Sequence, residues 1–145
     1  MQMPTLVQVS EYLETLMNSL KTTYSIDNVY YGDQTKLAGA RCVCIEPNTK
    51  INAEYRGSQR LVMPEYSVFI LVYQLNFADT QFNRKESDTV AEALESEIHK
   101  DQYLGGLVID SYVTSVESGY KLVDRSLARV TRPTVKATGR GILGV

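Results

Sequence analysis

Tyr66-Ser67-Val68-Phe69-Ile70-Leu71-Val72-Tyr73-Gln74-Leu75-Asn76-Phe77 is the stretch that decides the fold. Tyr66, Val68, Ile70 and Val72 share one parity, and Phe69, Leu71, Tyr73 and Leu75 share the other. Successive side chains of a strand point to opposite faces, so this strand is apolar on both sides and needs cover on both. One face should meet helices. The other needs a second cover that a chain of 145 residues has little left to supply, which points to partner subunits.

Upstream, Leu6, Val9, Leu13, Leu16, Met17 and Leu20 recur at spacings of three and four, the stripe of an amphipathic helix. Thr5 and Gln8 have the form of a capping box after Pro4, so the helix is expected over 6–22. Residues 24–39 carry the turn signals Asp27-Asn28 and Tyr31-Gly32-Asp33 and read as loop. A strand is expected over 40–46, ended by Pro47-Asn48. A second strand over 50–56, alternating Ile51, Ala53 and Tyr55 with polar residues, should pair with it as a hairpin. Gly57-Ser58 then turns the chain, and Pro64 breaks any early continuation.

Downstream, Val90, Ala91, Leu94 and Ile98 mark the buried stripe of a helix over 83–100, with Glu86, Asp88, Glu92, Glu95 and Glu97 facing out. Gly105-Gly106 stops it. Strands are expected over 107–116 and 120–131, joined by a turn at Glu117-Ser118-Gly119, with a bulge near Asp124 to Ser126 and with Pro133 ending the second strand or marking it as an edge. The fold class is therefore α+β: a mostly antiparallel sheet of four to five strands packed with two main helices. The chain is expected to divide into one domain over 1–133 and a basic, Gly-containing C-terminal arm over 134–145 that orders on a neighbour.

Composition narrows the function. Apolar residues make up 43% and charged residues 22%, as in a globular domain. The longest apolar run, 68–73, is far short of the ~20 residues that span a bilayer, and Met1-Gln2-Met3-Pro4 lacks the basic start of a secretory signal, so a cytoplasmic site of synthesis and no membrane partner are expected. Cys42 and Cys44 lie one residue apart and read as reduced, buried thiols; a zinc site would need a second ligand pair. A single histidine, His99, excludes multi-histidine metal sites and is explained by its place near a helix C-terminus. There is no phosphate-binding P-loop motif, and Gly139-Arg140-Gly141 lacks the strand-turn-helix setting of a dinucleotide fold. The expectation is no catalytic residue, no cofactor, no metal and no enzymatic activity. The 10 tyrosines suit strands and protein interfaces more than base stacking, because basic and aromatic residues do not interleave.

Charge is unevenly spread. Residues 119–145 carry a net +5 against −7 over 1–118. The cations Lys121, Arg125, Arg129, Arg132, Lys136 and Arg140 are the candidate contact residues, facing an acidic neighbour or nucleic acid, the alternative being a solvated strand face. Lys121, Arg125 and Arg129 are spaced by four and would share one strand face.

Ala91-Glu92-Ala93-Leu94, followed by His99-Lys100-Asp101-Gln102-Tyr103-Leu104-Gly105-Gly106-Leu107-Val108, resembles the tail-terminator and related neck proteins of tailed bacteriophages. In those proteins an AL…D…LGG segment joins the second helix to the next strand. The closing hairpin, with Val113, Val116, Gly119 and Arg129-Val130-Thr131, also fits, and the likeness spans about residues 5–133. The basic tail after Pro133 and the long region 24–60 depart from the pattern. The resemblance implies a structural virion protein assembled in the host cytoplasm and located at the head–tail junction. It implies a homo-oligomeric ring, usually of six copies, that caps the tail tube, stops its growth and docks it to the head-proximal connector or neck proteins, with the genome passing through the lumen. Loop 24–39 and the tail 134–145 are then the expected docking contacts. The alternatives are a head-side neck or connector protein, or a small module that binds DNA without sequence preference.

Overall fold

The computed structural model describes residues 3–52, 61–75 and 80–142. Helix α1 (Leu6–Ser19) starts at the expected capping box: Gln8 N donates to Thr5 Oγ1 at 3.0 Å and Thr5 N donates to Gln8 Oε1 at 2.7 Å. It buries Val9, Leu13 and Met17, four residues apart and hence on one side. It stops short of residue 22, where Leu20 N closes on Met17 O at 3.1 Å and the β-branched Thr22-Thr23 pair follows.

Strand β1 (Asn28–Tyr31) lies within the stretch expected to be loop and runs parallel to β2 (Arg41–Asn52). The expected hairpin at Pro47-Asn48 is corrected. β2 is one strand that passes through Pro47, which pairs with Val68, and the register shifts between Pro47 and Thr49. The shift leaves Asn48 outside the ladder, and β1 pairs with β2 only as far as Ile45, so Pro47 lies where one side of β2 has no neighbouring strand to receive an N–H. The expected turn at Gly57-Ser58 and the end of the expected second strand lie outside the described residues. β3 (Leu61–Val62) precedes β4 (Pro64–Gln74), which carries the double-sided apolar stretch, and Pro64 is the first residue of β4.

Helix α2 (Thr80–Lys100) leads through the short 3-10 turn Leu104–Gly106 to β5 (Asp110–Val123). β6 (Ser126–Thr138) and β7 (Gly141–Ile142) follow. Among the described residues the main sheet has five strands in the order β1-β2-β4-β6-β5, antiparallel except for β1 with β2. β3 and β7 form a separate antiparallel pair. The fold is α+β, with two α-helices and a mostly antiparallel sheet among the described residues.

The last hairpin differs from expectation in its register. Glu117, Ser118 and Gly119 do not turn but pair with Arg132, Thr131 and Val130. The turn is Asp124-Arg125, flanked by the pair Val123 and Ser126, with φ of 43° and 68°. Two adjacent residues at positive φ make the tight turn whose twist matches an antiparallel ribbon. Pro133 does not end the strand: it lies inside β6, between two neighbours. There the β4 pairing skips from Phe69–Thr134 to Val72–Thr131, which releases the position that proline cannot bond. The expected arm is likewise corrected over 134–142. Thr134 to Thr138 complete β6 with Val135 and Ala137 buried, and β7 pairs with β3, because alternate apolar residues there continue the sheet's inner face.

Both helices cover the same face of the sheet. Under them lie Val43, Ile45, Val68, Ile70, Val72 and Val135. The opposite face carries a smaller cluster of Cys42, Cys44, Tyr73, Val123 and Ala128, flanked by Tyr30, Leu37, Leu71 and Val130.

Candidate functional site

The six candidate cations do not form one surface. Lys121 sits on the face away from the helices, where its Nζ lies 2.5 Å from Asp33 Oδ2 and 3.2 Å from the Tyr73 hydroxyl. Tyr73, itself buried, donates to Asp33 Oδ1 at 2.6 Å. Burial pushes the Tyr73 hydroxyl up, and its hydrogen bond to Asp33 adds to that. Burial also raises the Asp33 carboxyl, but the hydrogen bonds from Lys121 and Tyr73 outweigh it and hold it below the ordinary aspartate value. Arg132, on the same face, stacks 4.2 Å above the Phe69 ring and pairs with Glu117 at 2.6 Å. Between the two ion pairs is a hollow of about 240 Å³ floored by Leu71 and Val130.

Arg129 points the other way. Its pair partner across the hairpin is Tyr120, whose ring it stacks on at 5.1 Å, and it reaches under α2 to Asp88 at 3.4 Å. Thr131 Oγ1 donates to the same Asp88 oxygen at 3.1 Å and is 2.7 Å from Ser87 Oγ. The shared face expected for Lys121, Arg125 and Arg129 is therefore corrected: the turn at 124–125 interrupts the strand, so spacing by four no longer preserves the side. Arg125 is exposed in that turn, Lys136 is exposed on the open face, and Arg140 is exposed beside the N-terminus of α1.

The two thiols lie beneath the open face and are free. Burial, with the nearby carboxylates Asp27 and Asp33 respectively, pushes Cys42 up to about 11 and Cys44 up to about 12, so at neutral pH both are un-ionised, unreactive hydrophobes. His99 Nε2 accepts from the backbone N–H of Val113 at 3.0 Å, which ties the end of α2 to β5. Among the described residues, no three His, Cys, Asp or Glu side chains gather as a metal requires, and no helix is long and apolar enough to cross a membrane.

What the sequence reading missed is apolar. Val116, Tyr120, Leu122 and Leu127 are 38%, 48%, 68% and 58% exposed and lie on the same side of the hairpin as Arg129, the side that meets α2, where the helix does not cover them. Leu122 and Leu127 pair directly across the ladder. They flank Asp124-Arg125 symmetrically in the sequence, a signal that becomes readable once the turn is placed between them. The chain matches no protein-family model and no curated protein.

Proposed function

We propose that this chain is a structural virion subunit of a tailed bacteriophage, a tail-terminator or completion protein that assembles as a ring, caps the tail tube and docks it to the head. The observation that carries the reading is the β5–β6 hairpin. Its edge strand of 14 residues and its uncovered apolar residues expose what a solitary soluble domain normally covers. A neighbouring copy that adds to this edge would bury it, and a head-to-tail contact of this kind closes into a ring when the rotation per copy allows. The sequence resemblance at 91–108 supplies the tail-specific part of the reading. The ring is expected to have six copies, with the tail tube protein on one side and connector or neck proteins on the other.

The arrangement of cations favours this over a DNA-binding module. Lys121, Arg129 and Arg132 already face Asp33, Asp88 and Glu117, which weakens any field they would present to a phosphate backbone. A head-side neck protein would share the chemistry and differ in partner. The test is the mass of the purified protein in solution, alone and with tail tubes, combined with electron microscopy of intact particles. Rings on tube ends and density at the head–tail junction are expected. A monomer that ignores tube ends, or particles lacking the protein at that junction, would refute the reading.

A further inference from the structure

We propose that the β5–β6 tip of one copy seats in a trough beside the α1 N-terminus of the next, and that this contact joins neighbouring copies. The inference rests on the reading of the chain as a self-assembling subunit and specifies which two surfaces meet. The tip presents the Leu122–Leu127 pair and, beyond it, Asp124 and Arg125, both exposed. Among the described residues, neither charge has an ion-pair partner. Arg125 holds φ 68° at a turn position where glycine would rest without strain. Local geometry gives no reason for arginine there, whereas a contact that needs its charge does.

The trough consists of two adjoining hollows of about 370 and 420 Å³ that share Gln8, Gly106 and Leu107. Glycine lines it where the 105–106 backbone approaches α1. A Cβ on Gly105, which has φ 67°, would come within 2.8 Å of the Tyr12 ring, and nothing lies within 4 Å of where a Cβ on Gly106 would be. The first hollow carries Arg140 and the second Glu11, both exposed and without an ion-pair partner among the described residues. The tip thus offers one anion and one cation to a trough that offers one cation and one anion, with Gly106 and Leu107 between the trough's two charges.

The two surfaces cannot meet within one molecule. The hairpin ladder runs from Asp110–Thr138, beside the trough, to Val123–Ser126 at the tip, a span of roughly 45 Å at the rise of an extended strand. The contact is therefore heterologous, one copy's tip in the next copy's trough, and propagates around a ring.

Cysteine pairing tests it, because the native thiols are buried and both target side chains are exposed. Arg125→Cys and Glu11→Cys variants, mixed at high concentration and mildly oxidised, should give a mixed disulfide dimer, while each alone stays unlinked. The double variant should give a ladder of covalent oligomers. As an independent check, Arg125→Glu should lower the assembled fraction and Glu11→Arg in the same chain should restore it. An Arg125→Cys variant that dimerises alone as readily as in the mixture would overturn the proposal in favour of a tip-to-tip contact. Assembled protein with neither mixed disulfide nor charge rescue would overturn it while leaving the ring intact. A chain that stays monomeric and unlinked under all conditions would overturn both.

Discussion

Arg129→Met should leave the stability of the monomer within about 1 kcal/mol of the parent, whereas Asp88→Ala should cost about 3 kcal/mol. The asymmetry follows from geometry. The Arg129 side chain is 7% exposed, its guanidinium lies 3.4 Å from Asp88, and its Nε has no hydrogen-bond partner among the described residues. At that separation and an effective dielectric near 20, the attraction is at most about 5 kcal/mol, and the stack on Tyr120 adds about 1 kcal/mol. Against this stand several kcal/mol for dehydrating a guanidinium and about 1–3 kcal/mol for the unpaired N–H. The opposing contributions nearly cancel, and methionine retains most of the stem's packing without the charge. Asp88 is 45% exposed, so water replaces the arginine when the arginine is removed. The reverse does not hold: truncating Asp88 leaves a buried cation with no counter-charge, beside only the Tyr120 ring, and removes the acceptor of Thr131. Urea unfolding followed by far-ultraviolet circular dichroism, at concentrations too low for assembly, reads the difference. With a slope of about 1.5 kcal/mol per molar, Asp88→Ala should lower the midpoint by about 2 M and Arg129→Met should barely move it. An Arg129→Met midpoint below that of Asp88→Ala would refute the reasoning and return Arg129 to the list of residues whose charge matters.

Four further outcomes follow from other parts of the molecule. Leu94, fully buried between α2 and the sheet, should cost about 3 kcal/mol when replaced by alanine, read by the same urea titration. The fold lowers the Asp33 carboxyl and so favours its ionised form. That stability is present above the unfolded value near ~3.9 and is lost as pH falls through the folded value, so the gap between parent and Asp33→Asn in thermal midpoint should shrink between neutral and strongly acidic pH. Cys42 and Cys44 should resist a disulfide-exchange reagent at pH 8 until denaturant is added, and rapid labelling of the native protein would contradict their burial. Arg125→Gly should stabilise the monomer by about 1 kcal/mol, through relief of the left-handed backbone, while weakening assembly.

The parts of the fold legible in sequence are those where side-chain periodicity and local chemistry agree. Thr5 and Gln8 start α1 as expected, Val90 to Ile98 define α2, and the two-sided apolar pattern of β4 fixes a strand with both faces occupied. Turn and break signals misled wherever tertiary pairing outweighed them. Pro47 and Pro133 both lie inside strands, because the end of the β1 pairing at Ile45 in one case and a skipped ladder position in the other remove the need for their missing N–H. Ser118-Gly119 has turn composition and pairs in register, whereas Asp124-Arg125 makes the turn with no glycine. That single misplacement reverses the facing of every later residue relative to Lys121, because a strand's side chains alternate with period two. The candidate contact residues failed for this reason, and the trough was invisible because its two halves, from α1 and from 104–109, are distant in sequence.

Segment charge and surface charge are different quantities, and here they diverge. The +5 of residues 119–145 suggests a basic arm, yet Lys121 is opposed by Asp33, which lies 88 positions away, Arg129 by Asp88 from α2, and Arg132 by Glu117 across the hairpin. The cations left over, Arg125, Lys136 and Arg140, occupy the hairpin tip, the open sheet face and the trough. Tip and trough are separated by roughly 45 Å, several screening lengths at physiological salt, so their fields do not sum into a patch that could hold a polyanion. Charges dispersed this way act one at a time and at contact distance, which suits fixing the register of one protein surface on another better than attracting a nucleic acid from solution.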